Sequence, residues 1–258
     1  MSKKKIIISE PINTLSQFKQ AMMKIKGLGF VKAHRKGPTS IGKTLEDLLG
    51  IEENCISTPD LGTVELKSAR MNTNSMLTLT TKSPDIRGAN SWLRDNYGYK
   101  TEESIELNPK LNILHSTING VDYNNLHGEP YLKLTFKDNK MFVEHANDGI
   151  LEKVYWSEKS LIEAFKKKYP QEKLYYVKAE SKFKDGHEYF HYKEVYYLEH
   201  FSAHKMLQHL RAGIIDIDIR IGIYTGGKNK GKSHDHGTGI RIKPNYLELC
   251  FDRYEKII

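Results

Sequence analysis

The stretch IIDIDIRIGIY at residues 214–224 restricts the fold more than any other part of the sequence, because its side chains alternate strictly. Isoleucine occupies every second position from Ile215 to Ile223, with other residues between. Successive side chains of a β-strand point to opposite faces of a sheet. The pattern therefore predicts a strand whose isoleucine face lies in the core, with the other face carrying Asp216, Asp218, Arg220 and Tyr224.

Other periodic segments predict helices and hairpins around this strand. Helices are expected over residues 15–29, 44–50, 156–169 and 202–213, with Thr44, Ser157 and Ser202 as N-caps of the last three. The turns KDNK and KDGH predict two β-hairpins. The aromatic residues of the second hairpin, between Lys173 and Tyr197, are expected in the core more than stacked on bases.

Residues 37–44, GPTSIGKT, match the phosphate-binding pattern G-x-x-x-x-G-K-[ST]. That pattern binds a nucleotide when the loop follows a buried strand and opens a helix. The preceding residues, FVKAHRK, are rich in Lys, His and Arg, whereas a central strand would supply Val, Ile and Leu. Nucleotide binding is therefore disfavoured, and no nucleotide cofactor is expected.

A second motif, PDLGTVELK, places Asp60, Glu65 and Lys67 in the order D-x4-E-x-K. On a strand Glu65 and Lys67 share one face, and Asp60 can fold back beside them at the turn LG. Two carboxylates supply the hard oxygen ligands that Mg²⁺ prefers, and a nearby ammonium can assist the attacking water in phosphodiester hydrolysis. The same spacing also occurs as an ordinary ion pair on an exposed strand, so the motif alone leaves both interpretations open.

Composition favours a polyanionic partner. The chain has 40 Lys plus Arg against 32 Asp plus Glu, a net charge of +8, and short basic runs fall in the glycine-containing segments HRKG and GGKNKGKSHDHG. Two cysteines, Cys55 and Cys250, are too few for a disulfide framework, and the segment MSKKKIIISE has too short an apolar run for a secretory signal. No stretch reaches the ~18 apolar residues of a membrane span. We therefore expect a cytoplasmic protein that does not enter a membrane.

Five blocks of sequence together resemble one known family. In chain order they are RKGPTSIGKTLEDLLG, PDLGTVELKS, LTLTTKSPDIRGAN, VYWS and IDIRIGIYTGGKNKGKSHDHGTGIRI. They resemble the MvaI/BcnI family of type II restriction endonucleases, and are most similar to its MvaI branch. In that family the segment around GPTSIGKT is a signature that binds no nucleotide, and it leads into a helix that bears an acid.

The resemblance implies an α/β fold with a PD-(D/E)xK restriction-endonuclease-like core, related to that of the repair nickase MutH. In this core a mixed central sheet is flanked by helices, and a β-rich lobe recognises DNA. We expect residues 1–258 to form a single two-lobed domain. Its catalytic core lobe would span about residues 1–110, and its DNA-recognition segments about residues 170–245.

The resemblance also assigns the catalytic residues. Asp60 and Glu65 would bind Mg²⁺ together with the backbone carbonyl of Leu66. Lys67 would serve the nucleophilic water. Glu46 would be an auxiliary acid, with the adjacent Asp47 as the residue most easily confused with it.

The C-terminal block is suited to reading C·G pairs. Asp can accept a hydrogen bond from cytosine N4, and Arg can donate two to guanine, so Asp218 and Arg220 suit adjacent bases in a major groove. A surface ion pair is the alternative for these two residues, and a weak zinc half-site is the alternative for His234 and His236. Resemblance to the family implies a recognition set of Asp218, Arg220, Tyr224, His234, Asp235, His236 and Arg241, with Lys228, Lys230 and Lys232 nearer the phosphates.

Members of the family cut five-base-pair CC-x-GG sites in double-stranded DNA, and similarity favours CCWGG, where W is A or T. The target is pseudo-palindromic, so we expect a monomer that binds in either orientation, with a companion DNA methyltransferase in the same system but no stable complex with it. Two alternatives remain: a MutH-like nicking endonuclease of DNA repair, and a catalytically silent DNA-binding protein. The first would make single nicks, and the second would not need the acids.

Overall fold

The structure is a computed structural model that describes Ile8 and residues 11–52 and 58–258. The expectations for Cys55 and for the N-terminal residues 1–7 lie outside this part. The helices are α1 (Leu15–Gly27), α2 (Ser40–Leu49), α3 (Ala89–Tyr97), α4 (Glu102–Leu107), α5 (Glu158–Lys168) and α6 (Ala203–Arg211), with short 3-10 helices at Gly227–Asn229 and Pro244–Cys250. The strands are β1 (Val31–Lys32), β2 (Glu65–Arg70), β3 (Leu77–Thr81), β4 (Leu114–Ile118), β5 (Asn125–Leu126), β6 (Glu129–Pro130), β7 (Leu132–Lys137), β8 (Lys140–His145), β9 (Gly149–Ser157), β10 (Leu174–Lys184), β11 (His187–Glu199), β12 (Ile215–Ile223), β13 (Ser233–Ile242) and β14 (Arg253–Lys256).

These elements divide into two compact units. The first contains the described residues up to Leu77 together with Lys166–Ser202 and Leu247–Ile258, and the second contains Thr78–Phe165 and Ala203–Tyr246. The divisions differ from the lobe limits expected from the sequence. Residues 78–110 belong to the second unit, and the long β10–β11 hairpin belongs to the first, because β10 pairs with β2.

The first unit is built on a mixed sheet. Its strands run in the order β1-β11-β10-β2, with β14 also paired to β11. Strand β2 is parallel to β10, whereas β10 and β11 are antiparallel. Apolar side chains of α1 and α2, including Phe18, Met22 and Leu45, pack with Tyr175 and Val177 of β10 in one buried cluster. The predicted α/β fold with a mixed central sheet and helices is confirmed.

Both predicted hairpins are present, and their turns explain why. Asp185 and Gly186 between β10 and β11 have φ of 50° and 70°, and Asp138 and Asn139 between β7 and β8 have φ of 50° and 56°. These are residue types that adopt the left-handed region needed for tight two-residue turns. The aromatic rings of β10 and β11 are mostly buried, as predicted, although Phe183 near the turn is 77% exposed.

Helix α2 begins earlier than the sequence indicated. It starts at Ser40, with Thr39 at the N-cap position, so Thr44 lies inside the helix. The hydroxyl of Thr44 is buried, donates to the carbonyl of Ser40 and accepts from the amide of His34. The predicted N-cap at Thr44 is wrong, because packing of Ile41 and Leu45 in the core extends the helix through Gly42.

The second unit contains a four-stranded sheet in the order β3-β13-β12-β4 and a three-stranded meander of β7, β8 and β9. Strand β12 is the alternating strand predicted at residues 215–223. Its isoleucines are buried, but Asp216 and Asp218 on the other face are also buried, at 8% and 4% exposure. Within β12, Arg220 is therefore the one residue of the expected polar face that is exposed to solvent.

Part of the glycine-rich segment GGKNKGKSHDHG is a strand. Strand β13 begins at Ser233, so His234, Asp235 and His236 lie on a strand opposite β12. A bulge places His236 and Gly237 against the single residue Arg220, and Gly237 has φ of 82°.

Among the described residues, no helix is both long and apolar enough to cross a membrane.

Candidate functional site

A tight turn brings the predicted acids together in the first unit. Leu61 and Val64 exchange backbone hydrogen bonds of 3.1 and 3.0 Å around Gly62, whose φ is 61°. The turn folds the chain back so that Oδ2 of Asp60 accepts from the amide of Leu66, 3.2 Å away. Asp60 thus lies beside the start of β2, as the motif predicts.

Glu65 and Lys67 share one face of β2 and form an ion pair, while Leu66 joins the core cluster behind them. Glu65 is fully buried, and the Lys67 side chain is 23% exposed. Burial raises the pKa of Glu65, although Lys67 opposes this shift. Burial would lower the pKa of Lys67, but the carboxylates of Glu65 and Asp60 outweigh it and leave that pKa raised. Lys67 is therefore held as an ammonium in the absence of other ligands.

Helix α2 directs its two adjacent acids differently. Asp47 pairs with His34 at 2.8 Å and with Lys43 at 3.0 Å. Glu46 instead contributes to raising the pKa of Lys67, and its Oε1 lies near Gly42 together with the Ser68 hydroxyl of β2. Glu46, and not Asp47, is thus the helical acid beside the site. The same helix explains the GPTSIGKT pattern: its lysine, Lys43, is buried and paired within α2, and the strand before it has only two residues.

A second lysine, which the sequence did not reveal, completes the cluster. Lys168 at the end of α5 lies 2.9 Å from Oε2 of Glu65 and 3.7 Å from Oδ1 of Asp60. It also donates to the carbonyl of Thr58 at 2.9 Å. The next residue, Tyr169, is buried, and its burial, together with Glu65 and Asp60, raises its pKa well above the usual range.

The acids fit a divalent cation. Neither oxygen of Glu65 has a hydrogen bond of good geometry among the described residues, although each is within ion-pair distance of an ammonium. One ammonium, that of Lys168, reaches both Glu65 and Asp60, so a single cation can lie between the two carboxylates. The described residues contain no group of three or more His, Cys, Asp or Glu placed to hold a metal. A cation here would therefore take its remaining ligands from backbone, water or substrate.

In the second unit the centre of the predicted recognition set is Asp218. Its Oδ2 accepts from Nε of Arg220 at 2.6 Å and also from Arg241, and its Oδ1 accepts from the hydroxyl of Thr117 at 2.9 Å. The Arg220 side chain is 54% exposed, whereas that of Asp218 is 5% exposed. Asp218 therefore holds the two arginines, and Arg220 presents free donors to solvent.

The remaining predicted residues lie on β13 and on the segment that joins it to β12. Tyr224 stacks on His234 with ring centroids 3.8 Å apart, and His234 lies 3.7 Å from His236. Lys228, Lys230 and Lys232 are exposed in the loop before β13. Asp235 is already engaged: its Oδ1 accepts from the amide of Gly237 at 2.8 Å, and its Oδ2 accepts from Asn90 at 2.9 Å.

Three neighbours of this set were not identified from the sequence. Asn90 and Arg94 are buried on α3 and donate to Asp235 and to Ser233, respectively, so they fix β13. His115 on β4 pairs across the sheet with Arg220, and burial and Arg220 lower the pKa of its imidazole. Asn90 is the last residue of the quoted block LTLTTKSPDIRGAN, and Arg94 follows it at helical spacing, which was the sequence signal for α3. Nothing in the local sequence marked His115.

Comparisons with known proteins agree with this architecture. The MvaI/BcnI restriction endonuclease family matches the chain over residues 19–251. A solved structure of restriction endonuclease MvaI in complex with cognate DNA has a TM-score of 0.84 and 34% sequence identity, over 96% of this chain and 100% of that chain. A structure of MvaI in the absence of DNA has a TM-score of 0.55 and 32% identity, over 97% and 100% of the two chains. No curated protein sequence matched.

The fold, the family match and the structural match define the class of protein as a site-specific DNA endonuclease. The chain belongs to the MvaI/BcnI family of type II restriction endonucleases. The family predicted from the five sequence blocks is confirmed.

Proposed function

We propose that this endonuclease uses Mg²⁺ to hydrolyse one phosphodiester bond in each strand of duplex DNA at CC-x-GG sites, with CCWGG as the preferred form. The observation that carries the proposal is the convergence of Asp60, Glu65 and Lys67 beside a buried strand of the first unit. The match to a protein solved on its cognate DNA supports DNA as the partner.

Asp60 and Glu65 would hold the Mg²⁺ ion with the backbone carbonyl of Leu66. Carboxylate and carbonyl oxygens are ligands that Mg²⁺ accepts, and the ion keeps several waters and substrate oxygens in its shell. When bound, the ion supplies Lewis-acid activation of a water and of the phosphate. The partners of the Glu65 oxygens are ammonium groups, which a cation could replace at the same oxygens.

Lys67 would orient the attacking water and offset the negative charge that develops on the phosphate. Its ammonium is held on the acid face of β2 by Glu65, and its raised pKa keeps it charged. Glu46 would assist from α2 by adding a negative charge near Lys67. Preorganised charges of this kind stabilise a transition state without reorganisation at the moment of reaction.

Arg220 would read guanine in the major groove with two hydrogen bonds. The ion pair with Asp218 orients the guanidinium of Arg220 and so supports this role. Arg241, which also pairs with Asp218, would act as a second recognition arginine. Asp218 would serve the reading of cytosine and guanine chiefly by orienting these arginines, since its oxygens already accept three donors. The aromatic stack of Tyr224, His234 and His236 would lie against neighbouring bases, Asp235 would support it, and Lys228, Lys230 and Lys232 would contact phosphates.

The protein would act as a monomer. A CC-x-GG site whose two strands differ at the central pair can be bound in either orientation, so one chain can cut each strand in a separate event. A companion methyltransferase would protect the same site in the cell without forming a stable complex.

The test is digestion of unmethylated plasmid and phage DNA with Mg²⁺, followed by run-off sequencing of both strands at each break. We expect breaks on both strands within CCWGG, and Lys67→Ala should abolish them while duplex binding changes by no more than several-fold. Single-strand nicks would favour a MutH-like nickase. Bound but uncut DNA would indicate a silent binding protein, and cuts at unrelated sequences would remove the assigned site.

A further inference from the structure

Lys168 has no place in the catalytic motif, yet its ammonium lies within ion-pair distance of both acids. Its ammonium lies 2.9 Å from Glu65 and 3.7 Å from Asp60, and its side chain is only 16% exposed. An exposed lysine at a helix end would be free in water and would contribute little. This lysine is instead directed into the cluster at the position where a cation between the two carboxylates would lie.

Without a metal ion, the two lysines offset the charges of the two acids that they contact, and Glu46 adds a further negative charge nearby. Asp60 and Glu65 carry two negative charges, and Lys67 and Lys168 carry two positive charges in contact with them. An isolated buried carboxylate is costly unless it is paired. Lys168 therefore supplies charge compensation that Lys67 alone cannot give to both acids.

A divalent cation entering this cluster has to displace Lys168 from Oε2 of Glu65, or share that oxygen with it. Either way the ion meets an ammonium within a few ångströms, and like charges that close repel strongly in a site partly shielded from water. The cluster becomes net positive as the ion binds, until DNA phosphates arrive to balance it.

We propose that Lys168 is a positioning residue that acts as a counter-ion to Asp60 and Glu65, keeping the cation site closed in the DNA-free enzyme and making cation binding depend on DNA. The proposal rests on the assignment of Asp60 and Glu65 as cation ligands. It adds a residue from outside the motif that controls when the ligands become available. Hydrogen bonding of Lys168 to Thr58 also anchors the chain just before Asp60.

The test measures binding of Mn²⁺ to the DNA-free full-length protein by the loss of the free-ion electron paramagnetic resonance signal. We expect Lys168→Met to bind Mn²⁺ about tenfold more tightly than the wild type, which is ~1.4 kcal/mol. Lys168→Arg, which keeps the charge, should bind as weakly as the wild type. The matched control is Lys167→Met, which removes the same charge from the adjacent, exposed residue and should change nothing.

The outcomes separate this proposal from the catalytic assignment. A lysine with only a structural role would lower the melting temperature and leave Mn²⁺ affinity unchanged or weaker, and that result for Lys168→Met would overturn the counter-ion role. An equal gain for Lys167→Met would reduce the effect to general surface charge and overturn it as well. If adding Glu65→Gln to Lys168→Met leaves the Mn²⁺ affinity of Lys168→Met unchanged, the cation site itself is wrongly assigned, and both proposals fall.

Discussion

Glu65 in the first unit and Asp218 in the second are both buried carboxylates with two cationic partners, but the two centres are built differently. Asp218 accepts hydrogen bonds from two guanidinium groups and a hydroxyl. Glu65 is paired with two ammonium groups and with no other side-chain partner among the described residues. A guanidinium is a rigid fork of donors, whereas an ammonium is a point charge on a flexible stem. The Asp218 centre is suited to keeping its partners, and the Glu65 centre to exchanging them.

The largest difference is expected when each carboxylate is replaced by its amide. Asp218→Asn should lower the free energy of unfolding by about 3 kcal/mol, because it leaves Arg241, whose side chain is only 18% exposed, facing a neutral group. Glu65→Gln should change it by less than about 1 kcal/mol, because burial already disfavours the charged form of Glu65, so the amide removes a desolvation cost together with the ion pairs. Urea unfolding of the two variants checks this, and equal losses would contradict the contrast.

A smaller effect is expected on DNA binding when one arginine is removed. Arg220→Ala should weaken binding to a duplex with the cognate site by ~1–3 kcal/mol, with little change on random DNA, because it removes the proposed base contact. Lys228→Ala is the control, and it should weaken binding to both duplexes similarly. Fluorescence anisotropy on the two duplexes measures this. If Arg220→Ala weakens both equally, Arg220 is a phosphate contact.

The smallest effect concerns Asp216, the buried neighbour of Asp218 on the same face of β12. Burial raises its pKa to about 6, although Lys243 opposes the shift. The unfolded chain loses this proton near pH 4 and the folded chain near pH 6, so stability falls as pH rises through that window and stays lower above it. Asp216→Asn should therefore stabilise the protein by about 1–2 kcal/mol at pH 8 and have no effect below pH 4. Melting temperatures across pH 4–8 check this, and a pH-independent difference would contradict it.

The strands and the family were predictable because their signals are local. The alternation of β12, the turns of both hairpins and the spacing of Glu65 and Lys67 follow from side-chain period and turn chemistry. The fold of Asp60 back onto β2 also follows, since it needs only the turn at Gly62. These features depend on few residues that are close in the sequence.

The remaining features depend on distant packing. Lys168 ends a run of three lysines, which is typical of a solvated helix end, and only the fold brings it to Glu65. Helix α2 extends through Gly42, a poor helix former, because its flanking residues Ile41 and Leu45 are buried. His115 was not identified because strand β4 pairs with β12 across a long sequence separation.

The bulge in β13 makes the register of the sheet independent of which side chain stands at position 236. His236 and Gly237 stand opposite the single residue Arg220, outside the regular ladder. The strands on either side are paired and their isoleucines are buried, so they tolerate little change. Position 236 can accept other side chains next to Arg220 without shifting a hydrogen-bonded pair. The surface beside Arg220 could therefore be altered at this residue while the pairing of β12 and β13 stays in place.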